Sequence, residues 1–345
     1  ICTEKGKGYT PAEQSKEAWH YCAPFNMENG KSLAEASGAD YASMTADYLL
    51  GKMKEDKTLV AVTSGTPAVF GFNAEKRKEA GVQFVDVGIA EETAVALSSG
   101  VACGGGKPVW GVYSTFVQRT FDQLSQDLCI NKNPAVILNF WASIYAMSDV
   151  THLGIYDIPL LSNIPNLVYL APVTKEEYFS MLDWSLKQRE HPVAIRVPVE
   201  VINGAKPVER DWGVLNRYGV EQRGQDVAVL ALGSFYGLGE RACTAIEAIT
   251  GVKPTLIKPY YISGLDESLL EELKSDHKIV VTLEDGILDG GFGEKVARFY
   301  GSSSVKVLNY GFRKEFLDRF NAEDVLNESG ITPEAIAGDI SELLK

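Results

Sequence analysis

The sequence predicts an α/β protein made of two doubly wound domains with mostly parallel sheets. Three observations predict it. Short apolar, β-branched runs alternate with amphipathic helical segments along most of the chain. Those runs are apolar throughout rather than alternating with polar residues, as strands covered by helices on both faces must be. The alternation also restarts after the polar stretch NGAKPVERDWG (203–213), which marks a second cycle and a second domain.

In chain order, residues 1–40 come first. KGKGYTPAEQSKEAWHYCAPFNMENGKS carries Gly, Pro and Asn with no sustained period and reads as an extended linker. A helix over 41–54 places Tyr41, Met44, Tyr48 and Met53 on one side. Strands are expected at 58–62, 82–87, 108–112, 135–139, 167–170 and 193–197, with Val82-Gln83-Phe84-Val85 as a buried run. Between them lie helices at 118–130 and 175–189, the second opened by a T-x-x-E capping box from Thr174 to Glu177. The second cycle has strands at 226–232, 255–258, 278–282 and 305–309. Its helices fall at 265–275, 293–300 and 333–344, the last with Thr332 as cap and Pro333 at its first position. The domains are expected at 41–205 and 206–345.

Composition narrows the function classes. With 46 acids against 33 bases the net charge is −13, and no basic cluster interrupts it, which argues against nucleic acid or an anionic membrane as partner. Five cysteines without C-x-x-C spacing and only four histidines give no zinc-site pattern, so no metal ligands are assigned in this chain. No apolar run reaches the roughly 18–20 residues a spanning helix needs, and ICTEKGKGY has no signal-peptide core. Reduced thiols in a cytoplasmic protein are the expectation.

The stretch DVGIAEETAVALSSG (86–100) puts Glu91 and Glu92 where a strand gives way to a helix. First-turn acids complement the helix dipole, and that is their plain reading. YSTFVQRTFDQLSQD (113–127) ends a strand at Tyr113 and sets Phe116 and Arg119 at the carboxyl edge of the sheet, where open α/β folds bind ligands. His152, in THLG, reads either as a solvated loop histidine or as an acid–base group. The glycines of GSFYGLG (233–239) and GGFGEKV (290–296) match neither G-x-G-x-x-G nor a Walker motif and read as strand-to-helix turns.

These pieces occur in one order together with TEKGKGYTPAE (3–13), KPVWGVYSTFVQRTFDQ (107–123), THLGIYDI (151–158), IPNLVYLAPVTKEE (164–177), GLDESLL (264–270) and TLEDGILDGGFG (282–293). In this the chain resembles the latter two-thirds of the 1-deoxy-D-xylulose-5-phosphate synthases, a branch of the thiamine-diphosphate-dependent transketolase superfamily. The resemblance implies a pyrimidine-binding domain, a transketolase-type C-terminal domain and a homodimer. It assigns Glu91 to N1′ of the cofactor's aminopyrimidine, with Phe116 stacked on that ring and Ile89 and Arg119 in the same pocket. Tyr113, Ser148 and Asp149 fall on the substrate side, with His152 as a candidate for proton transfer. Mg²⁺ and the diphosphate are expected in an upstream domain, because the G-D-G motif that holds them has no counterpart here. The chain is thus expected to be a piece of a longer protein or one subunit of a split enzyme.

Departures from that pattern bear on substrate. The family's A-E-Q-H is Ala90-Glu91-Glu92-Thr93, and its D-R-A-G is Phe140-Trp141-Ala142-Ser143. Its Y-P-R-G is Val197-Pro198-Val199-Glu200, so both arginines that hold the acceptor's phosphate in the family are replaced. The resemblance implies two-carbon transfer to an aldehyde, with pyruvate and glyceraldehyde 3-phosphate as the default pair, but two charge-assisted bonds of about 1.5–3 kcal/mol each are lost with the arginines, which points to a different acceptor. Other readings are a different superfamily enzyme, such as a transketolase or a 2-oxo acid dehydrogenase β-like subunit, and a non-catalytic paralogue.

Overall fold

The computed structural model describes residues 2–20, 22, 24–33, 40–204 and 208–345. The chain divides into two compact units, residues 1–40 and 41–345. The first is not the extended linker its composition suggests. It has a five-residue helix, Thr10–Gln14, and Trp19 packs edge-on against both Tyr9 and Phe25, with centroids 5.0 and 4.6 Å apart. Aromatic contacts of this kind give a short, Gly-rich segment a core of its own.

The second unit holds two sheets. β1 (Leu59–Thr63), β2 (Phe84–Asp86), β3 (Lys107–Tyr113), β4 (Val136–Phe140), β5 (Val168–Leu170) and β6 (Val193–Arg196) pair in the order β2-β1-β3-β4-β6-β5. Every pairing is parallel. β7 (Gly219–Gln222), β8 (Asp226–Ala231), β9 (Thr255–Lys258), β10 (His277–Ile287) and β11 (Lys306–Phe312) form the second sheet, ordered β11-β10-β8-β9-β7, with only β7 antiparallel. β3, β4 and β8 are apolar and buried nearly end to end because helices cover both faces of the sheets. Edge strand β5 meets the second domain: Ala171 and Ile262 donate backbone hydrogen bonds to Tyr260 and Tyr169, each 2.8 Å.

Most of the expected elements appear within a residue or two. The Thr174–Glu177 capping box closes helix Lys175–Lys187, and Thr332 caps Pro333–Leu344. Four expectations need correction. Val82 is 95 % exposed and belongs to a single helical turn, Gly81–Gln83, so the buried strand shrinks to Phe84–Asp86 at the sheet edge. The helix expected at 118–130 is instead a tight turn (Phe116–Thr120), one α turn (Phe121–Gln123) and a π turn (Leu124–Cys129). Irregular windings of this kind occur beside functional sites. The strand-to-helix turn expected at 233–239 is present but shorter: Gly233, with φ +50°, turns the chain into helix Tyr236–Thr250. Within that helix a Cβ at Gly239 would sit 2.5 Å from the Ala231 Cβ, so this glycine permits close packing on β8. β10 is longer than expected, and its continuation Glu284-Asp285 carries charge into the core. The expected boundary near residue 205 falls on 205–207, outside the described residues.

Candidate functional site

The ends of β2 and β3, which flank β1 in the sheet, build the site. Beyond β2, Asp86 accepts hydrogen bonds from the backbone N–H of Gly65 and Gly88, both 2.9 Å, and Gly88 takes φ +73°. A non-glycine residue is strained there. The turn delivers Glu91 as the first residue of helix Glu91–Cys103. Beyond β3, Ser114 donates its backbone N–H to Phe140 of β4 at 2.8 Å, and the chain turns through Phe116–Thr120.

Glu91 is 1 % exposed, and its Oε2 accepts a 2.9 Å hydrogen bond from Arg119 Nη1. The Arg119 guanidinium lies 5.3 Å from the Phe116 ring centroid, a cation–π distance. Phe116 packs on Tyr113 and on His152, each with centroids 5.3 Å apart, and Tyr113 to His152 is 5.4 Å. His152 ends a short turn capped by the Asp149 carboxylate, which accepts the Thr151 N–H at 2.7 Å. His152 Nδ1 lies 2.9 Å from Thr151 Oγ1 and 3.4 Å from Asp149 Oδ2. Hydrogen bonds from Thr151 hold the Asp149 carboxyl below its usual range. Thr115 donates to the Leu153 carbonyl at 3.1 Å, tying the His152 segment to the Phe116 turn.

The structure thus brings Glu91, Arg119, Phe116, Tyr113 and His152 into one continuous cluster, with Asp149 orienting the histidine. Ile89 stands apart at 82 % exposed. Ser148 is exposed as well, and its carbonyl accepts the Arg319 N–H from the C-terminal domain. At the same edge Trp141 follows β4 with φ +61° and is partly exposed, while Val199 follows β6. Among the described residues no group of three or more His, Cys, Asp or Glu is placed to hold a metal ion.

Sequence reasoning missed a buried polar network behind this cluster. Arg196 donates through Nε to Asp157 Oδ2 at 2.8 Å and through Nη1 to Asp285 Oδ1. Asp157 also accepts from Tyr169 Oη and, at 3.1 Å, from Asn139 Nδ2. All five side chains are buried, and Asp285 comes from the second sheet, so the network locks one domain to the other. The single charge inside VAIRV and the adjacent pair inside TLEDGI were the available signal, because an ion inside a covered strand needs a partner.

Glu284, next to Asp285, accepts the N–H groups of Phe292 and Gly293 at 2.8 and 2.7 Å, and so caps helix Phe292–Tyr300 from the core. Burial outweighs these bonds and pushes its carboxyl up to about 7. A folded pKa above the unfolded one adds stability below about pH 4.5, and that contribution is lost as pH rises through about 7. At 1.36 kcal/mol per unit, the contribution is roughly 3 kcal/mol. Urea midpoints measured from pH 4.5 to 7.5 should therefore fall less steeply for Glu284→Gln than for the unmodified chain. Equal slopes would show that this carboxyl does not take up the proton.

Taken together, a buried acid at one strand-to-helix turn and an aromatic cluster at a nearby strand end lie at the carboxyl edge of a parallel sheet, where open α/β folds bind ligands. Residues 37–203 match the family described as transketolase, pyrimidine binding domain, and residues 217–336 match the transketolase C-terminal domain; the chain belongs to this family. Among curated proteins it is similar to the 1-deoxy-D-xylulose-5-phosphate synthase of Shouchella clausii, 33 % identical across 100 % of this chain and 55 % of the relative. The synthase of Clostridium beijerinckii is 35 % identical over 94 % of this chain and 52 % of its own length. The chain thus spans about half the length of the curated relatives it matches. Among solved structures, a split-gene transketolase described as an inactive β4 tetramer superposes with a TM-score of 0.75 at 20 % identity, covering 88 % of this chain and 98 % of that one. A Pichia stipitis transketolase in complex with sedoheptulose 7-phosphate gives 0.70 at 14 % identity, over 89 % of this chain and 46 % of that one. No helix among the described residues is long and apolar enough to cross a membrane.

Proposed function

We propose that this chain supplies the pyrimidine-binding half of a thiamine-diphosphate site and serves two-carbon transfer from a 2-oxo acid or ketose to an aldehyde, in the manner of a 1-deoxy-D-xylulose-5-phosphate synthase. The observation that carries the reading is the buried Glu91 carboxyl joined through Arg119 to the Phe116 ring. A flat heteroaromatic with a basic ring nitrogen fits that donor set. Phe116 would take one face of such a group, and Glu91 would meet its nitrogen. The Ser114 hydroxyl on the same turn is buried without a hydrogen-bond partner among the described residues, and it adds an unused polar group beside the pocket.

When bound, the cofactor supplies the carbon nucleophile and the electron sink. Glu91 holds a proton at the pyrimidine nitrogen, exchanging or sharing its bond with Arg119. Phe116 and Tyr113 exclude water from one side, and His152, oriented by Thr151 and Asp149, moves a proton at the substrate oxygen. The diphosphate and Mg²⁺ belong to a further domain or separate subunit, and the working assembly is a homodimer of the complete unit. The split-gene transketolase with a similar fold supports a two-subunit arrangement.

The acceptor is an aldehyde without a phosphate. Trp141 and Val199 stand at the strand ends where the resemblance would require arginines, and Arg119 is committed to Glu91. Steady-state kinetics of the chain together with its completing half, with pyruvate as donor, tests this. Unphosphorylated aldehydes should give the higher kcat/KM, and a preference for glyceraldehyde 3-phosphate would overturn it.

A further inference from the structure

A second cleft lies away from the Glu91 cluster. It opens to about 830 Å³, within the range that holds small metabolites, and both domains line it. One wall is the 162–168 segment leading into β5; the other is the loop beyond the carboxyl end of β9 together with helix Phe292–Tyr300.

Its charge runs against that of the chain. Lys295, Arg298 and Arg217 face it in a protein of net charge −13. Of the acids in the lining, Asp266 is already engaged. Its Oδ1 caps helix Glu267–Leu273 through Leu269 N–H at 3.1 Å, and its Oδ2 accepts Tyr218 N–H at 3.0 Å. Arg217 reaches the same carboxylate at 3.1 Å while staying half exposed. Glu267 is exposed on the rim.

The other two cations are under-compensated. Lys295 donates to the Ser162 carbonyl at 3.0 Å and has no acid within ion-pair distance among the described residues. Burial, with the nearby Arg298 charge adding to it and Glu284 opposing it, lowers this ammonium to about 8. Arg298 has no ion pair among the described residues either, and it points from the same helix. Ser162 lines the cleft too, through the segment whose carbonyl Lys295 meets, while its hydroxyl is closed off from solvent. Two cations without ion pairs on the wall of one cavity form an incomplete coordination set, and a tetrahedral anion with several acceptor oxygens would complete it.

We propose that this inter-domain cleft binds a small phosphate-bearing metabolite, gripped by Lys295 and Arg298, at a site separate from the Glu91 cluster. Because its walls come from both domains, occupancy would hold them together from the side opposite the first sheet's ligand edge. The proposal does not depend on the thiamine reading.

Isothermal titration of the 345-residue chain with sn-glycerol 3-phosphate tests it, with glycerol and inorganic phosphate titrated in parallel. Saturable 1:1 binding of both phosphate compounds and none of glycerol is expected. Arg298→Glu and Lys295→Met should each weaken it at least tenfold, while Arg119→Met leaves it unchanged. Arg298 is solvent-exposed and Met keeps the length of the Lys295 stem, so circular dichroism should match the parent in both variants. No saturable binding, equal binding of glycerol, or loss with Arg119→Met instead of the cleft variants would overturn the assignment.

Discussion

Replacing Glu91 with Gln in the assembled enzyme is expected to lower kcat by about 10²–10⁴-fold, the range for removing a positioned proton-transfer group. The amide keeps the shape of the side chain but cannot present an acid proton to a ring nitrogen and then take it back. Stability should hardly move. Arg119, the partner of Glu91, is about half exposed, so it regains water when the carboxylate is gone, and the amide removes the cost of keeping a charge buried. The prediction is therefore a split: turnover collapses while the urea midpoint stays put. Cofactor affinity adds a third readout, because the lost bond to the pyrimidine should raise the half-saturating concentration of thiamine diphosphate. If turnover survived in Glu91→Gln, the carboxyl would be an ordinary first-turn acid and the proposed chemistry would have no acid in this chain.

That outcome was not decidable from spacing. A glutamate at the start of a helix is placed there by the dipole as readily as by chemistry, and only the ordered set of motifs around it pointed to a cofactor. What the residues do specify locally came through well. Thr174 and Glu177 form their capping box, Thr332 and Pro333 start the last helix, and the apolar runs of β3, β4 and β8 are buried strands. Each of these depends on neighbours within four residues or on a plain hydrophobic period.

The misreadings share a different cause. Val82 belongs to an apolar run yet faces water, because β2 is an edge strand and the chain turns just before it. The winding of 116–129 through three helical pitches has no marker in composition, since Gln118–Ile130 is a good amphipathic sequence for an ordinary helix. Within the site, Glu91, Arg119, Phe116, Tyr113 and His152 converge from three segments, whereas Ile89 turns outward. Arg196 finds Asp285 across 89 positions. Pairings of that separation are set by how two domains dock, and no local pattern encodes them.

The docking network makes the second large prediction. Arg196 is a single buried cation facing two buried carboxylates, Asp157 and Asp285. Burial pushes the Asp285 carboxyl up, and the guanidinium opposes that shift. Arg196→Met keeps the volume but strands both acids, and removing one partner of a buried ion pair typically costs about 3–5 kcal/mol. Because the stranded carboxyls can relieve the cost by taking protons, the defect should be largest near pH 8 and shrink towards pH 5. The unmodified chain should show only a smaller trend of the same sign at this site, because the guanidinium opposes the rise of the Asp285 carboxyl. The triple variant Arg196→Met, Asp157→Asn, Asp285→Asn should recover most of the loss, since a neutral cluster of similar shape leaves no unpaired charge. Urea unfolding monitored on both domains reads all three. The Arg196→Met curve should remain a single transition, because one apolar core runs from the first sheet into the second and still ties the domains together. A loss below about 1 kcal/mol, or one that deepens as the pH falls, would mean that water reaches these groups and that other contacts hold the domains together.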